Sequence, residues 1–111
     1  MNESQLDHTF FALSDPSRRE LLQRLAGGPQ TVNALAEPFD ISRPAISRHL
    51  RVLREAGLVT VRLEGRERWP SLEVETLEEA NVWFQQFWRA ALRSLKAHVE
   101  GTQESGKERG R

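Results

Sequence analysis

The stretch from Thr31 to Trp69 constrains this chain more than any other. Ser42 is a favoured helix N-cap, and Ile41 and Ile46 occupy the two positions of a hydrophobic staple around it. Ile46, Leu50 and Leu53 then give residues 42–56 one apolar face. Gly57 stands where a left-handed residue ends a helix. Just upstream, Thr31 can cap a shorter helix whose face is Val32, Leu35, Ala36 and Phe39, with Pro38 placed to terminate it. Just downstream, Leu58 to Leu63 alternates apolar and polar residues, Glu64-Gly65-Arg66 reads as a turn, and Glu67 to Leu72 returns as a second strand. Two short helices followed by a hairpin leave few alternatives for the fold.

The flanks complete the order. Leu6, Phe10, Phe11 and Leu13 sit near helical spacing, so residues 5–13 read as a helix. Asp15-Pro16 is a cap followed by a first-turn proline; Leu21, Leu22 and Leu25 form the stripe of the helix it opens, and Gly27-Gly28-Pro29 stops it. A last helix is expected from near Thr76, with an apolar seam through Leu77, Ala80, Phe84, Phe87 or Trp88, Ala91, Leu95 and Val99. The fold class that follows is mostly α with a small β-hairpin, a winged helix-turn-helix with a further helix after the wing. Residues 1–100 are expected to form that single domain. Residues 101–111 have no apolar side chain to bury and are expected to be a disordered tail.

Several function classes are excluded by what is missing. The 111 residues include no cysteine, which removes disulfides, thiolate metal sites and cysteine nucleophiles. No apolar stretch reaches the roughly 18 residues of a membrane helix, and MNESQLDHTF lacks the basic start and apolar run of a signal peptide, so a cytoplasmic location without membrane contact is expected. No nucleophile elbow, phosphate-binding glycine loop or suitably placed carboxylate pair is found, so no enzyme activity and no cofactor are expected. Glu78-Glu79 suits the dipole at a helix start.

Net charge is zero, yet it is unevenly distributed. Residues 42–68 hold seven arginines against three glutamates, a local excess of four positive charges, while residues 1–41 carry a net −3. A positive middle between acidic flanks is the footprint of a local phosphate-binding surface. On the helix 42–56, Ser42, Arg43 and Ser47 lie where a recognition helix meets base edges, and arginine is the side chain most used to read guanine. Arg48, Arg51 and Arg54 are better placed for phosphates. Arg62, Arg66 and Arg68 fall in the wing, 62–68, where they can follow the neighbouring backbone or enter the minor groove. His49 is open to a second reading, as a partly buried surface histidine, and Arg68 to pairing with Glu64 or Glu67.

The run TVNALAEPFDISRPAISRHLRVLREAGLVTVRLEGRERWPSL resembles the winged helix-turn-helix of the ArsR family of bacterial repressors, most specifically at SRPAISRHLRVLREAGLV. LDHTFFALSDPSRRELLQRL resembles that family's first two helices, and NVWFQQFWRAALRSLKAHV resembles the last helix of a branch without an evident metal site. The resemblance implies a homodimer built from the first and last helices, presenting two recognition helices to a palindromic operator in double-stranded DNA. It implies that Ser42, Arg43, Ser47, Arg48 and His49 occupy DNA-reading positions, with Arg66 in the wing. Its metal-sensing members carry a cysteine pair before the recognition helix or Asp and His along the last; here Val32 to Glu37 has no thiol, and His98 is the last helix's only histidine, so no metal site is expected.

The expected dimer surface takes in Leu6, Phe10, Phe84, Phe87, Trp88, Ala91 and Leu95. The aromatic cluster Trp83, Phe84, Phe87 and Trp88 fits a dimer core, or else a small pocket admitting an effector molecule. The sequence leaves one alternative to DNA binding: a winged-helix module that docks on proteins.

Overall fold

Among the described residues, four of the five helices begin where a short polar side chain satisfies free backbone donors. The structure, a computed structural model, describes residues 1–108, with side chains as far as Gly101. Its elements are α1 (Glu3–Leu13), α2 (Pro16–Leu25), α3 (Val32–Ala36), α4 (Arg43–Glu55), β1 (Val59–Glu64), β2 (Glu67–Leu72) and α5 (Val74–Glu108). The caps are Asn2, Asp15, Thr31 and Ser42. At Asn2 the cap is reciprocal: its side chain accepts from the Gln5 N–H and its own N–H donates to the Gln5 side chain. That capping box starts α1 two residues ahead of the expected residue 5.

Two other boundaries differ from expectation. Helix α3 stops at Ala36, so Phe39 falls outside it and its N–H donates back to the Ala36 carbonyl at 3.0 Å. Pro38 is the cause: Glu37 keeps helical dihedrals as the C-cap, but the proline has no backbone N–H to donate and so breaks the hydrogen-bond ladder. At the other end, α5 runs on to Glu108 rather than stopping near Val99. It takes in most of the segment 101–111 expected as a disordered tail; residues 109–111 lie outside the described residues. Once a helix is nucleated, each added residue gains a hydrogen bond without needing a core.

The chain divides into two compact units, Met1–Ala80 and Asn81–Arg111. In the first, Leu21, Leu25, Leu35, Ile46, Leu53, Leu58 and Val59 are at most 2 % exposed, so α2, α3, α4 and β1 share one core. Each such side chain contributes about 1.5–3 kcal/mol through burial. Gly57 has a φ of +75°, the left-handed turn that ends α4 and feeds β1. The first turns of α5 close over this corner: Leu77 packs against the core, and Thr76 Oγ1 would lie 3.5 Å from any Cβ added at Gly57.

The hairpin is antiparallel with Glu64 opposite Glu67, which leaves Gly65 and Arg66 as a two-residue loop. Gly65 has a φ of +62° and, among the described residues, no non-glycine residue has a positive φ, the pattern of a type II′ turn, whose twist suits a hairpin. Alternation puts Val59, Val61, Arg68, Pro70 and Leu72 on one face of the hairpin, and Thr60, Arg62, Trp69 and Ser71 on the other. Pro70 is fully buried, tolerated because a two-stranded sheet leaves each strand an open edge.

The second unit is the body of α5. Its rings interlock along the helix, Trp83 edge-on to Phe84 at 5.1 Å between centroids and stacked on Phe87 at 6.1 Å.

Candidate nucleic-acid interface

Helix α4 is divided lengthwise. Ile46, Leu50 and Leu53 are buried, which fixes its rotation about its axis. At about 100° per residue, Arg43, Ser47, Arg51 and Arg54 then share the flank beside that buried face. Ser42 Oγ accepts from the Ala45 N–H at 3.3 Å, and that cap sets where the helix starts. Arg43 follows as the first helical residue and Pro44 as the second, so the basic positions begin at the helix N-terminus, where the dipole is also positive.

The wing faces that flank. A groove between α4 and the hairpin is lined by Ser47, Arg51, Arg54, Val61 and Arg68, over a floor of Val32 and Leu50. It continues toward the hairpin tip between Thr31, Asn33 and Arg43 on one side and Arg66, Glu67 and Arg68 on the other. Arg43, Arg51, Arg54, Arg66 and Arg68 thus border one surface. Among the described residues, ion pairs engage Arg24 and Arg62 but none of these five. Arg68 has neither of the intramolecular partners considered for it, Glu64 or Glu67. Arg48 is exposed about a third of a turn from Ser47, at the outer margin of the same helix.

Two expected DNA-contact residues are placed elsewhere. His49 points to the opposite flank of α4, where its Nδ1 lies 3.4 Å from Arg18 Nη1 and 3.9 Å from Asp15 Oδ2. The reason is helical geometry: two residues on from Ser47 is more than half a turn away. Arg62 shares the outer face of the hairpin with Trp69 and pairs with Glu64 at 2.9 Å, so strand alternation separates it from Arg68.

Two residues escaped the sequence reading. Asn33, in the first turn of α3, accepts a hydrogen bond through Oδ1 from Arg43 Nη1. Arg18 is buried and donates from Nε to the Ala12 carbonyl at 2.7 Å and from Nη2 to the Phe11 carbonyl at 2.9 Å, with its guanidinium 5.1 Å from the Phe11 ring centroid. It therefore caps the end of α1 while reaching His49 on α4. The only available signal was its place as the third residue of a helix opened by Asp15-Pro16, which says nothing about burial.

Asp15 sits in the same cluster. Burial pushes its carboxyl up, but the Arg18 backbone N–H, the charges of His49 and Arg18 and the Ser17 N–H together outweigh that and hold it below the ordinary aspartate value.

Of the residues expected at a dimer surface, Phe84, Phe87, Trp88, Ala91 and Leu95 are exposed along α5, and Phe10 is exposed on α1. Leu6 is instead buried within the chain, 6 % exposed. Among the described residues no group of three or more His, Asp or Glu side chains could hold a metal ion, and no helix is long and apolar enough to cross a membrane.

The chain is similar to several known proteins. Residues 13–62 match the helix-turn-helix domain family. The transcriptional repressor SdpR of Bacillus subtilis (strain 168) is 37% identical over 82 residues, covering 74% of this chain and 91% of that protein. The ArsR-like transcriptional regulator from Rhodococcus sp. RHA1 superposes with a TM-score of 0.74 at 32% identity, over 85% of this chain and 89% of that one. The homodimeric winged helix-turn-helix DNA-binding domain Mb0332 from Mycobacterium bovis superposes at 0.64 with 26% identity, over 80% and 82%. By this similarity the chain belongs to the ArsR family of winged helix-turn-helix transcriptional regulators.

Proposed function

We propose that this protein is a sequence-specific DNA-binding repressor that acts as a homodimer on a palindromic operator. One observation carries the reading: Arg43, Ser47, Arg51 and Arg54 of α4 and Arg66 and Arg68 of the wing border a single groove, with none of the arginines neutralised by an ion pair among the described residues. Ser42, Arg43 and Ser47, at the start of α4, read base edges in the major groove. Arg48, Arg51 and Arg54 hold phosphates, and the wing, through Arg66 and Arg68, follows the adjacent backbone. The role is in binding, with no catalytic step, and its site of action is the chromosome in the cytoplasm.

Dimer formation is supported by the exposed seam of α5 and by the homodimeric Mb0332 domain. Two recognition helices related by a twofold axis call for two half-sites about 34–36 Å apart, one turn of the duplex. Repression is supported by the SdpR relationship.

The test is a mobility-shift titration against the protein's own upstream DNA at several salt concentrations. Binding through several arginine–phosphate contacts falls steeply and linearly in log–log form as salt rises. Absence of any specific shift at moderate salt sinks the reading and favours a protein-docking module.

A further inference from the structure

We propose that Asn33 determines specificity indirectly, as a positioning residue that aims the Arg43 guanidinium at its base. The inference rests on the reading of Arg43 as a base-contacting residue. Asn33 and Arg43 lie ten residues apart, in the first turns of α3 and α4, and both border the end of the groove nearest the hairpin tip. Each first turn is fixed by its own cap. Thr31 Oγ1 accepts from the Ala34 N–H at 3.1 Å, and Ser42 Oγ accepts from the Ala45 N–H at 3.3 Å. The backbones carrying the two side chains are therefore held before any DNA arrives, and the Arg43–Asn33 hydrogen bond joins them across the turn.

The chemistry suits aiming rather than neutralising. An exposed arginine has several rotatable bonds, and ordering it on binding costs affinity and blurs direction. One hydrogen bond from Nη1 to a rigidly mounted acceptor restricts the guanidinium while leaving other N–H donors for a paired contact to guanine O6 and N7. Asn33 supplies a neutral oxygen, so the positive charge remains available to DNA. A carboxylate at the same place would cancel it.

The experiment selects bound sequences from a random DNA pool with the full chain, Asn33→Ala, Arg43→Ala and the double variant. Circular dichroism verifies folding; Asn33 is exposed, and alanine is the better helix former. Arg43→Ala is expected to lose roughly tenfold or more in preference at one base pair of each half-site. Asn33→Ala is expected to lose at least roughly threefold at that same base pair, with the salt dependence unchanged because no phosphate contact is removed. In the Arg43→Ala background, Asn33→Ala should change nothing further, the signature of one residue acting through the other. If Arg43→Ala relaxes the preference and Asn33→Ala does not, the role of Asn33 is overturned while Arg43 stands as a base reader. If Asn33→Ala acts equally in both backgrounds, it does not work through Arg43 and the proposal fails. If neither substitution alters the preference, the base-reading role of Arg43 falls together with it.

Discussion

Arg18 Nη1 lies 3.4 Å from Nδ1 of His49, joining the start of α2 to the middle of α4. The same guanidinium donates to the last carbonyls of α1, at Ala12 and Phe11. Three helices therefore meet on one planar, five-donor group. Because α4 carries the groove arginines, whatever holds its far flank also sets how its near flank meets DNA.

Replacing Arg18 by Met keeps much of the apolar stem but leaves the Ala12 carbonyl without the Nε donor, while the Phe11 carbonyl keeps the Ser14 N–H and hydroxyl. A drop of about 1–3 kcal/mol in unfolding free energy is expected, because a buried acceptor is stranded. Arg18→Lys should recover only part of it, since an ammonium cannot reproduce the fork. Urea denaturation at fixed protein concentration measures this, and equal stability of Arg18→Lys and the parent would refute the geometry.

Asp15 gives the cluster a pH dependence. Its carboxyl is held below the ordinary aspartate value in the folded chain, so the unfolded chain binds the proton more readily. The stabilisation is therefore complete above the unfolded value, about 3.9, and is lost as pH falls through the lower folded value. Asp15→Asn keeps a capping oxygen but cannot ionise. Unfolding measured from about pH 7 down to about pH 3 should show the parent more stable at the neutral end, with the two curves converging in acid. Parallel curves throughout would contradict the shift.

These cases mark where local sequence stops being informative. The caps at Asp15, Thr31 and Ser42, the glycine exits at Gly57 and Gly65 and the strand alternation after Leu58 all depend on residues within a few positions of one another, and all are legible. So is the clustering of basic groups in 42–68. The burial of Arg18, the turning of His49 toward Asp15 and the Asn33–Arg43 bond depend on how helices cross, which no spacing rule encodes. Helical and strand periodicity did contain the separation of His49 and Arg62 from the groove: each lies on a different face from Ser47 or Arg68 once the buried face is known.

The wing provides a contrast within one hairpin. Arg68→Ala removes a groove arginine and should lower both DNA affinity and the slope of its salt dependence, the latter by about one. Arg62→Ala removes a residue on the outer face that already pairs with Glu64, and should leave affinity within roughly twofold, since exposed ion pairs contribute little. Fluorescence anisotropy on one operator duplex at several salt concentrations decides between them. An Arg62→Ala loss as large as that of Arg68→Ala would show that the outer face of the hairpin meets DNA.

The turn into the wing tests backbone rather than side-chain chemistry. Gly57→Ala places a Cβ at a φ of +75°, where L-residues are strained by about 1–2 kcal/mol, and sets it 3.5 Å from Thr76 Oγ1 in the first turn of α5. Gly57→Asn should cost less, because asparagine enters the left-handed region more readily. Thermal unfolding ranks the three; an unchanged midpoint for Gly57→Ala would mean that the corner relaxes without strain.

The body of α5 makes the dimer prediction. Phe84, Trp88, Ala91 and Leu95 recur at spacings of four, three and four, which puts them in one stripe along the helix. Trp88 is 62% exposed and Leu95 56%, large apolar surfaces of the kind that a second subunit covers. Trp88→Glu with Leu95→Glu would bury two unpaired charges in a homodimer while leaving the core of Met1–Ala80 untouched. Light scattering at micromolar concentration should then report a monomer that keeps its helical circular dichroism. Operator affinity should collapse to that of a single half-site, because a monomer cannot engage both recognition helices at once. A double variant that remains dimeric places the subunit contact away from this stripe.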